Sequence, residues 1–161
     1  MTAYSDNTVR YDYTEEMSLF LTLINNYTDL RGMRFNEPIT LFDEIASKRV
    51  IDLRGATFIK PFCFHPGSII EGQILMDRTE FQGGFKAVEV AFHGGLSAIG
   101  THFNQGTSFR HSRLIGGCDF SNAKFESPDR PFEDADFYGD PAGLNWIQLA
   151  PAIVRRRRSC S

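Results

Sequence analysis

Four histidines, three cysteines and a scatter of carboxylates are the residues whose types could do chemistry here. His65, His93, His102 and His111 could ligate a metal through neutral imidazole. Cys63 or Cys118 beside one of them would form a nucleophilic pair. No motif supports either use. The chain has no GxxxxGK, GxGxxG or HExxH, and no GxSxG nucleophile elbow. Gly83-Gly84 and Gly94-Gly95 read as chain corners rather than phosphate cradles. Cys63, Cys118 and Cys160 include no CxxC pair and cannot build a disulfide framework. No catalytic residue, cofactor site or metal site is expected, and the chain reads as a non-enzyme.

The carboxylates are more informative. The 161 residues carry a formal charge of −3, and without the four arginines Arg155–Arg158 the body carries −7. That balance does not fit a basic nucleic-acid binder. The sharpest acidic cluster is Glu133, Asp134, Asp136 and Asp140. A second set is Asp29, Asp52 and Asp119, with Arg31 and Arg54 two residues beyond the first two. These seven carboxylates are the candidate partner-binding surface. The flanking arginines also allow a plainer reading of the second set, as ladders of ion pairs on a solvated face, each worth little.

What positions these residues is a repeat. Fifteen phenylalanines against one tryptophan suggest one packing slot used many times. Thr28-Asp-Leu-Arg-Gly-Met-Arg-Phe35 recurs as Ile51-Asp-Leu-Arg-Gly-Ala-Thr-Phe58, and Cys118-Asp-Phe-Ser-Asn-Ala-Lys-Phe125 has the same shape. Aligned at this period, large apolar residues fall into four columns: Leu30, Leu53, Leu75, Leu96, Phe120; then Phe35, Phe58, Phe81, Phe103, Phe125; then Leu41, Phe64, Phe85, Phe109, Phe132; then Ile70, Phe92, Leu114, Phe137. The second column steps by 23, 23, 22 and 22 residues. Small residues two positions earlier (Ala56, Thr79, Thr101, Ala123 and Ser68, Val90, Ser112, Ala135) leave room to turn inward beside the large ones. Gly72, Gly94, Gly116 and Gly139 form a further column, expected to be a corner with positive φ. Four inward residues per coil imply a four-sided all-β solenoid of about five coils, stacked at the strand-pairing distance to a height of roughly 24 Å. The histidines then project from different sides or heights, which does not make a shared metal site.

The pattern of small, polar, Leu or Phe, then two variable residues resembles the pentapeptide-repeat family. Ile51-Asp-Leu-Arg-Gly, Ala56-Thr-Phe-Ile-Lys, Cys118-Asp-Phe-Ser-Asn, Ala123-Lys-Phe-Glu-Ser and Ala135-Asp-Phe-Tyr-Gly carry the resemblance. It covers residues 28–140, with irregular stretches at 41–50, 82–100 and 126–134. It implies a right-handed quadrilateral β-helix. The family's nominal coil is shorter, so bulges or small loops at corners are expected. A three-sided β-helix like that of sugar-cleaving lyases is the alternative, although it normally needs a longer chain. The resemblance also implies a function. Several members mimic duplex DNA and occupy the DNA channel of an enzyme. Here that would mean an inhibitor of DNA gyrase, or a phage-type anti-CRISPR protein acting on a CRISPR effector complex, with carboxylates standing in for phosphates. The alternative is a neutral scaffold or adaptor. Either way the expected partner is a protein, with no direct nucleic-acid binding and no membrane.

Both ends of such a solenoid need covers. Residues 1–27 are read as an N-terminal segment with a capping helix: Thr14 starts it, Glu15 and Glu16 favour its positive end, and Met17, Phe20, Leu21 and Ile24 share one face. Residues 141–161 are read as a capping or dimerisation segment. Pro141 would open a short helix, with Leu144, Trp146, Ile147 and Leu149 as cap or homodimer contacts, and Arg155–Arg158 as a mobile basic tail. No apolar run reaches 18 residues and no signal peptide is visible. A cytoplasmic location is expected, in a bacterial host if the chain is phage-encoded.

Overall fold

Phenylalanine stacking sets the architecture. The computed structural model describes residues 15–42, 49–126, 130–139 and 141–144, and the backbone of 153–155. It is a parallel β-solenoid of about four turns with one helix. In chain order the elements are α1 (Glu15–Asn25), β1 (Arg34–Phe35), β2 (Ile39–Leu41), β3 (Ile51–Asp52), β4 (Thr57–Phe58), β5 (Phe62–Phe64), β6 (Ile69–Ile70), β7 (Ile74–Leu75), β8 (Glu80–Phe81) and β9 (Phe85–Lys86). There follow β10 (Ala91–Phe92), β11 (Leu96–Ser97), β12 (His102–Phe103), β13 (Arg113–Leu114), β14 (Cys118–Asp119), β15 (Lys124–Phe125), β16 (Asp136–Tyr138) and β17 (Ile153–Arg155). They make four sheets: sheet I is β1-β4-β8-β12-β15, sheet II β2-β5-β9, sheet III β6-β10-β13-β16-β17 and sheet IV β3-β7-β11-β14.

Sheet I realises the second column in register, from Phe35 through Phe58, Phe81 and Phe103 to Phe125. Its rings lie nearly parallel, with successive centroids 5.2, 5.4, 5.6 and 4.8 Å apart. Sheet III realises the fourth column, Ile70, Phe92, Leu114 and Phe137. The small residues Ala56, Thr79, Thr101, Ser68, Val90, Ser112 and Ala135 are buried beside these columns. Their hydroxyls bond turn carbonyls: Thr79 Oγ1 donates to Leu53 O at 2.7 Å and Ser68 Oγ to His65 O at 2.6 Å. Each is small enough to fit and leaves no buried hydroxyl without an acceptor.

Two columns are corrected. In sheet IV, Ile51, Ile74, Leu96 and Cys118 align, so Leu75 pairs with Asp52 and Ser97 and leans outward. The inward residue expected at 75 is Met76, which is fully buried. A one-residue slip exchanges the two faces of a strand, and Ile74-Leu75-Met76 offers three apolar residues with no alternation to fix the phase. In sheet II, Phe85 aligns with Phe62, not Phe64; their rings stack at 5.7 Å, and Ala87 takes the neighbouring inward position. Once these shifts are made, 82–100 runs regularly through β9, β10 and β11.

The extra residues sit at corners. Inward pairs on each side are joined by tight turns at some corners and by one more residue at others. The tight corner between sheets IV and I closes with backbone bonds such as Ala56 N to Leu53 O and Ala123 N to Phe120 O. Its third residue has positive φ in every turn: Gly32, Gly55, Arg78, Gly100 and Asn122, as type II turns require. The expected glycine corner at Gly72, Gly94 and Gly116 is a different device. These three do not have positive φ; of that column only Gly139 does. A Cβ on Gly94 would lie 2.3 Å from Glu71 O, and one on Gly72 2.0 Å from Arg49 O. Glycine is needed there because one turn's backbone lies against the next.

Helix α1 lies over the first turn. Met17, Phe20 and Ile24 are buried, and Phe20 meets Phe35, Phe58 and Phe62 edge-on at 5.4, 5.8 and 5.8 Å. Glu16 accepts the backbone N–H of Glu37 at 3.1 Å, and Arg49 donates to Asn25 O at 3.1 Å, which ties both ends of the helix down. Thr14 lies outside the described residues.

Of the expected C-terminal helix, 141–144 are not helical and 145–150 lie outside the described residues. Among the described residues α1 is the only helix. Ala142 pairs with Asp119 in a parallel bridge that continues sheet IV. Ile153, Val154 and Arg155 pair with Asp136, Phe137 and Tyr138, so the first arginine of the tail belongs to sheet III. An open sheet edge presents unpaired N–H and C=O groups, and these segments take them up. Leu144 packs against the core; Trp146, Ile147 and Leu149 lie outside the described residues.

The two kinds of corner make opposite predictions. Gly94→Ala should destabilise the protein by about 2 kcal/mol, through overpacking against fixed backbone. Arg78→Gly, which relieves a left-handed non-glycine residue, should stabilise it by about 0.5 kcal/mol. Urea denaturation of the two variants measures both.

Candidate functional site

The seven candidate carboxylates divide between two places. Asp29, Asp52 and Asp119 lie on the sheet IV side. Each accepts the backbone N–H two residues on, from Arg31 at 3.0 Å, Arg54 at 3.1 Å and Ser121 at 2.9 Å. They are Asx residues that lead the chain into the tight corner. Asp29 is also held by the Arg31 guanidinium at 2.6 Å and Asp52 by that of Arg54 at 2.7 Å. The hydrogen bond from Arg31 lowers the Asp29 pKa to about 2, and Arg54 lowers that of Asp52 in the same way. The first two turns therefore carry ion pairs, while Asp119 is held by Ser121 instead. In the sheet register Leu75 and Ser97 stand between Asp52 and Asp119, so these acids make no continuous column. The next turn places its acid two positions later, at Asp77, which accepts from Ser97 Oγ at 2.6 Å and Ile99 N at 2.9 Å.

Glu133, Asp134 and Asp136 lie where the chain passes toward sheet III. Asp134 has φ 57° and faces His111 at 3.9 Å. Asp136 is half-buried in β16, in register with Arg113. Arg113 bonds the Tyr138 hydroxyl at 3.3 Å and lies over that ring at 5.7 Å. A basic residue thus stands one turn from Asp136 in the outward column of sheet III. Asp140 lies outside the described residues.

The histidines and cysteines are spread over several sheets, with Cys63 in β5, His102 in β12 and Cys118 in β14. Among the described residues no three of His, Cys, Asp and Glu gather as a metal-ligand group. Cys63 and Cys118 are half-buried free thiols on different sheets, and burial pushes the Cys118 thiol up to about 12. A thiol so protonated is a poor nucleophile.

No family model matches this chain. Nor does any curated protein or solved structure match it. The reading of the surface therefore rests on its own geometry. One feature escaped the sequence analysis: a cleft of about 530 Å³ on sheet I, lined by Gln82, His102, Asn104, Gln105 and Glu126. His102 Nε2 and Glu126 Oε1 are 2.8 Å apart within it. The signal was in the residues flanking the most regular phenylalanine column, since those just before and after Phe81, Phe103 and Phe125 face outward. No helix among the described residues is long and apolar enough to cross a membrane.

Two outcomes follow. The Asp29 carboxyl should titrate with a midpoint near 2, and Arg31→Ala should return it toward 3.8, as read by NMR. Because its folded pKa is depressed, the pair's stabilisation is complete above pH 3.8 and lost as pH falls through about 2. In the native protein at pH 8, Cys118 should resist iodoacetamide and become alkylated only in denaturant, as peptide mass spectrometry would show.

Proposed function

We propose that the chain is a non-enzymatic protein-binding scaffold, and that its solenoid is a right-handed quadrilateral β-helix of about five coils, of the pentapeptide-repeat kind. The observation that carries this reading is the division of labour between the two sides of each strand. Inward positions are filled by stacked phenylalanines, and outward positions form fixed columns on four parallel sheets. Such columns suit recognition of a partner along an extended face. The repeated order of sheets IV, I, II and III supports four sides, and the Asx-led tight corner supports the repeat kinship.

Mimicry of duplex DNA, directed at DNA gyrase or a CRISPR effector complex, is the second reading. The grouping of Glu133, Asp134 and Asp136 favours it. The pairing of Asp29 and Asp52 with arginines of their own turns weighs against it, because a phosphate mimic needs carboxylates available to the target's basic residues. Residues 141–161, through Leu144, Trp146, Ile147 and Leu149, are the proposed site of any homodimer.

Affinity capture from bacterial lysate separates the readings. It uses the full chain and the Glu133→Gln/Asp134→Asn/Asp136→Asn variant, at about 0.05 and 0.5 M salt. The scaffold retains its partner at both salt concentrations and in the variant. A DNA-handling enzyme lost at high salt and in the variant would establish mimicry instead. Capture of no protein in any arm would overturn both.

A further inference from the structure

The cleft on sheet I has a definite chemistry. Gln82 follows β8, His102 belongs to β12 with Asn104 and Gln105 just beyond, and Glu126 follows β15. Three successive turns thus contribute three carboxamides, an imidazole and a carboxylate. It is a depression of about 530 Å³ that is open to solvent and lined by polar side chains.

The backbone beneath is fixed. Gln82 N bonds Phe58 O at 2.8 Å, His102 N bonds Thr79 O at 2.9 Å, Asn104 N bonds Phe81 O at 3.1 Å and Glu126 N bonds Phe103 O at 2.9 Å. Behind it the rings of Phe81, Phe103 and Phe125 are stacked. The lining side chains therefore start from a rigid wall, and little ordering of the backbone opposes binding.

Two carboxylates here already have hydrogen-bond partners. His102 meets Glu126, and Gln82 Nε2 donates to Glu80 Oε2 at 3.2 Å. In register, His102 lies between Glu80 on one turn and Lys124 on the next, so acid and base flank it. Such a wall does not select a strongly charged ligand. Carboxamides offer both donors and acceptors, and so do hydroxyl groups. Outward groups on neighbouring turns repeat at about 4.8 Å, whereas same-face groups of an extended peptide repeat at about 6.7 Å. Equatorial hydroxyls on alternate carbons of one ring can engage two neighbouring turns at once.

We infer that this cleft binds an uncharged polyhydroxylated ligand, a single sugar ring being the simplest example. The wall contacts it through Gln82, Asn104 and Gln105, while the His102–Glu126 pair supplies further acceptors.

Saturation-transfer NMR on the full chain tests the inference. The probes are glucose, galactose, mannose and N-acetylglucosamine, with glucosamine and glucose 6-phosphate as charged comparisons. Asn104→Ala and Gln82→Ala remove exposed or half-exposed groups, and Ile69→Ala, at an exposed position on sheet III, is the control. The expected result is transfer to at least one neutral sugar, with a dissociation constant of about 1 mM. Each cleft variant should weaken it about five-fold, the effect of one lost hydrogen bond, and the control should leave it unchanged. Transfer to no neutral sugar would overturn the inference. So would transfer to the charged probes alone, or transfer that survives both cleft substitutions combined.

Discussion

The constraint on which the structure depends is that the backbone of each turn finds its hydrogen-bond partners in the turns before and after it. Short strands of two or three residues cannot satisfy themselves, and here they pair in parallel with the equivalent strand one turn away. That spacing, near 4.8 Å, is close to the separation of stacked aromatic rings. A phenylalanine that fits one turn therefore fits the next. Choosing one residue type for an inward slot in one turn favours it in its neighbours, and Phe35, Phe58, Phe81, Phe103 and Phe125 are the result.

The same constraint explains the glycines and the acids. Where one backbone lies against another at a corner, Gly72, Gly94 and Gly116 have no room for a Cβ. Where the chain turns tightly, an aspartate two residues ahead of the corner binds the turn N–H, as at Asp29, Asp52 and Asp119. A carboxylate used this way is a structural part before it is a recognition element. The arginines that follow Asp29 and Asp52 hold the charge down further. Negative composition alone says little about the field such a surface projects.

Much of this was legible in the sequence, and the errors have a common cause. Sheets I and III were readable because their inward pairs combine a small residue with a large one, which fixes the phase. Ala56 with Phe58 and Ser112 with Leu114 admit only one orientation. Sheets II and IV hold no fixed order: Phe62 and Phe64 or Ile74 and Met76 are both large, in Phe85 and Ala87 or Leu96 and Ala98 the large residue comes first, and Leu75 is apolar too. There the spacing permits two registers, and only the hydrogen-bonded partner decides. The C-terminal strand was hidden for another reason: Ile153-Val-Arg155 has no phenylalanine and follows its partner, β16, after a shorter step than the repeat. The cleft on sheet I went unread because outward residues vary freely and show no period of their own.

The coil-to-coil register has a consequence for how such a chain can change length. Every turn between residues 34 and 125 spans 22 or 23 residues, and each outward column depends on that count. Losing a single residue within a strand would turn a row of aromatic rings toward water for that turn and break the match with both neighbours. Loss or duplication of a whole turn leaves every remaining column in phase. Heritable change in this rod is therefore quantised, gradual at its outward positions and stepwise in its length.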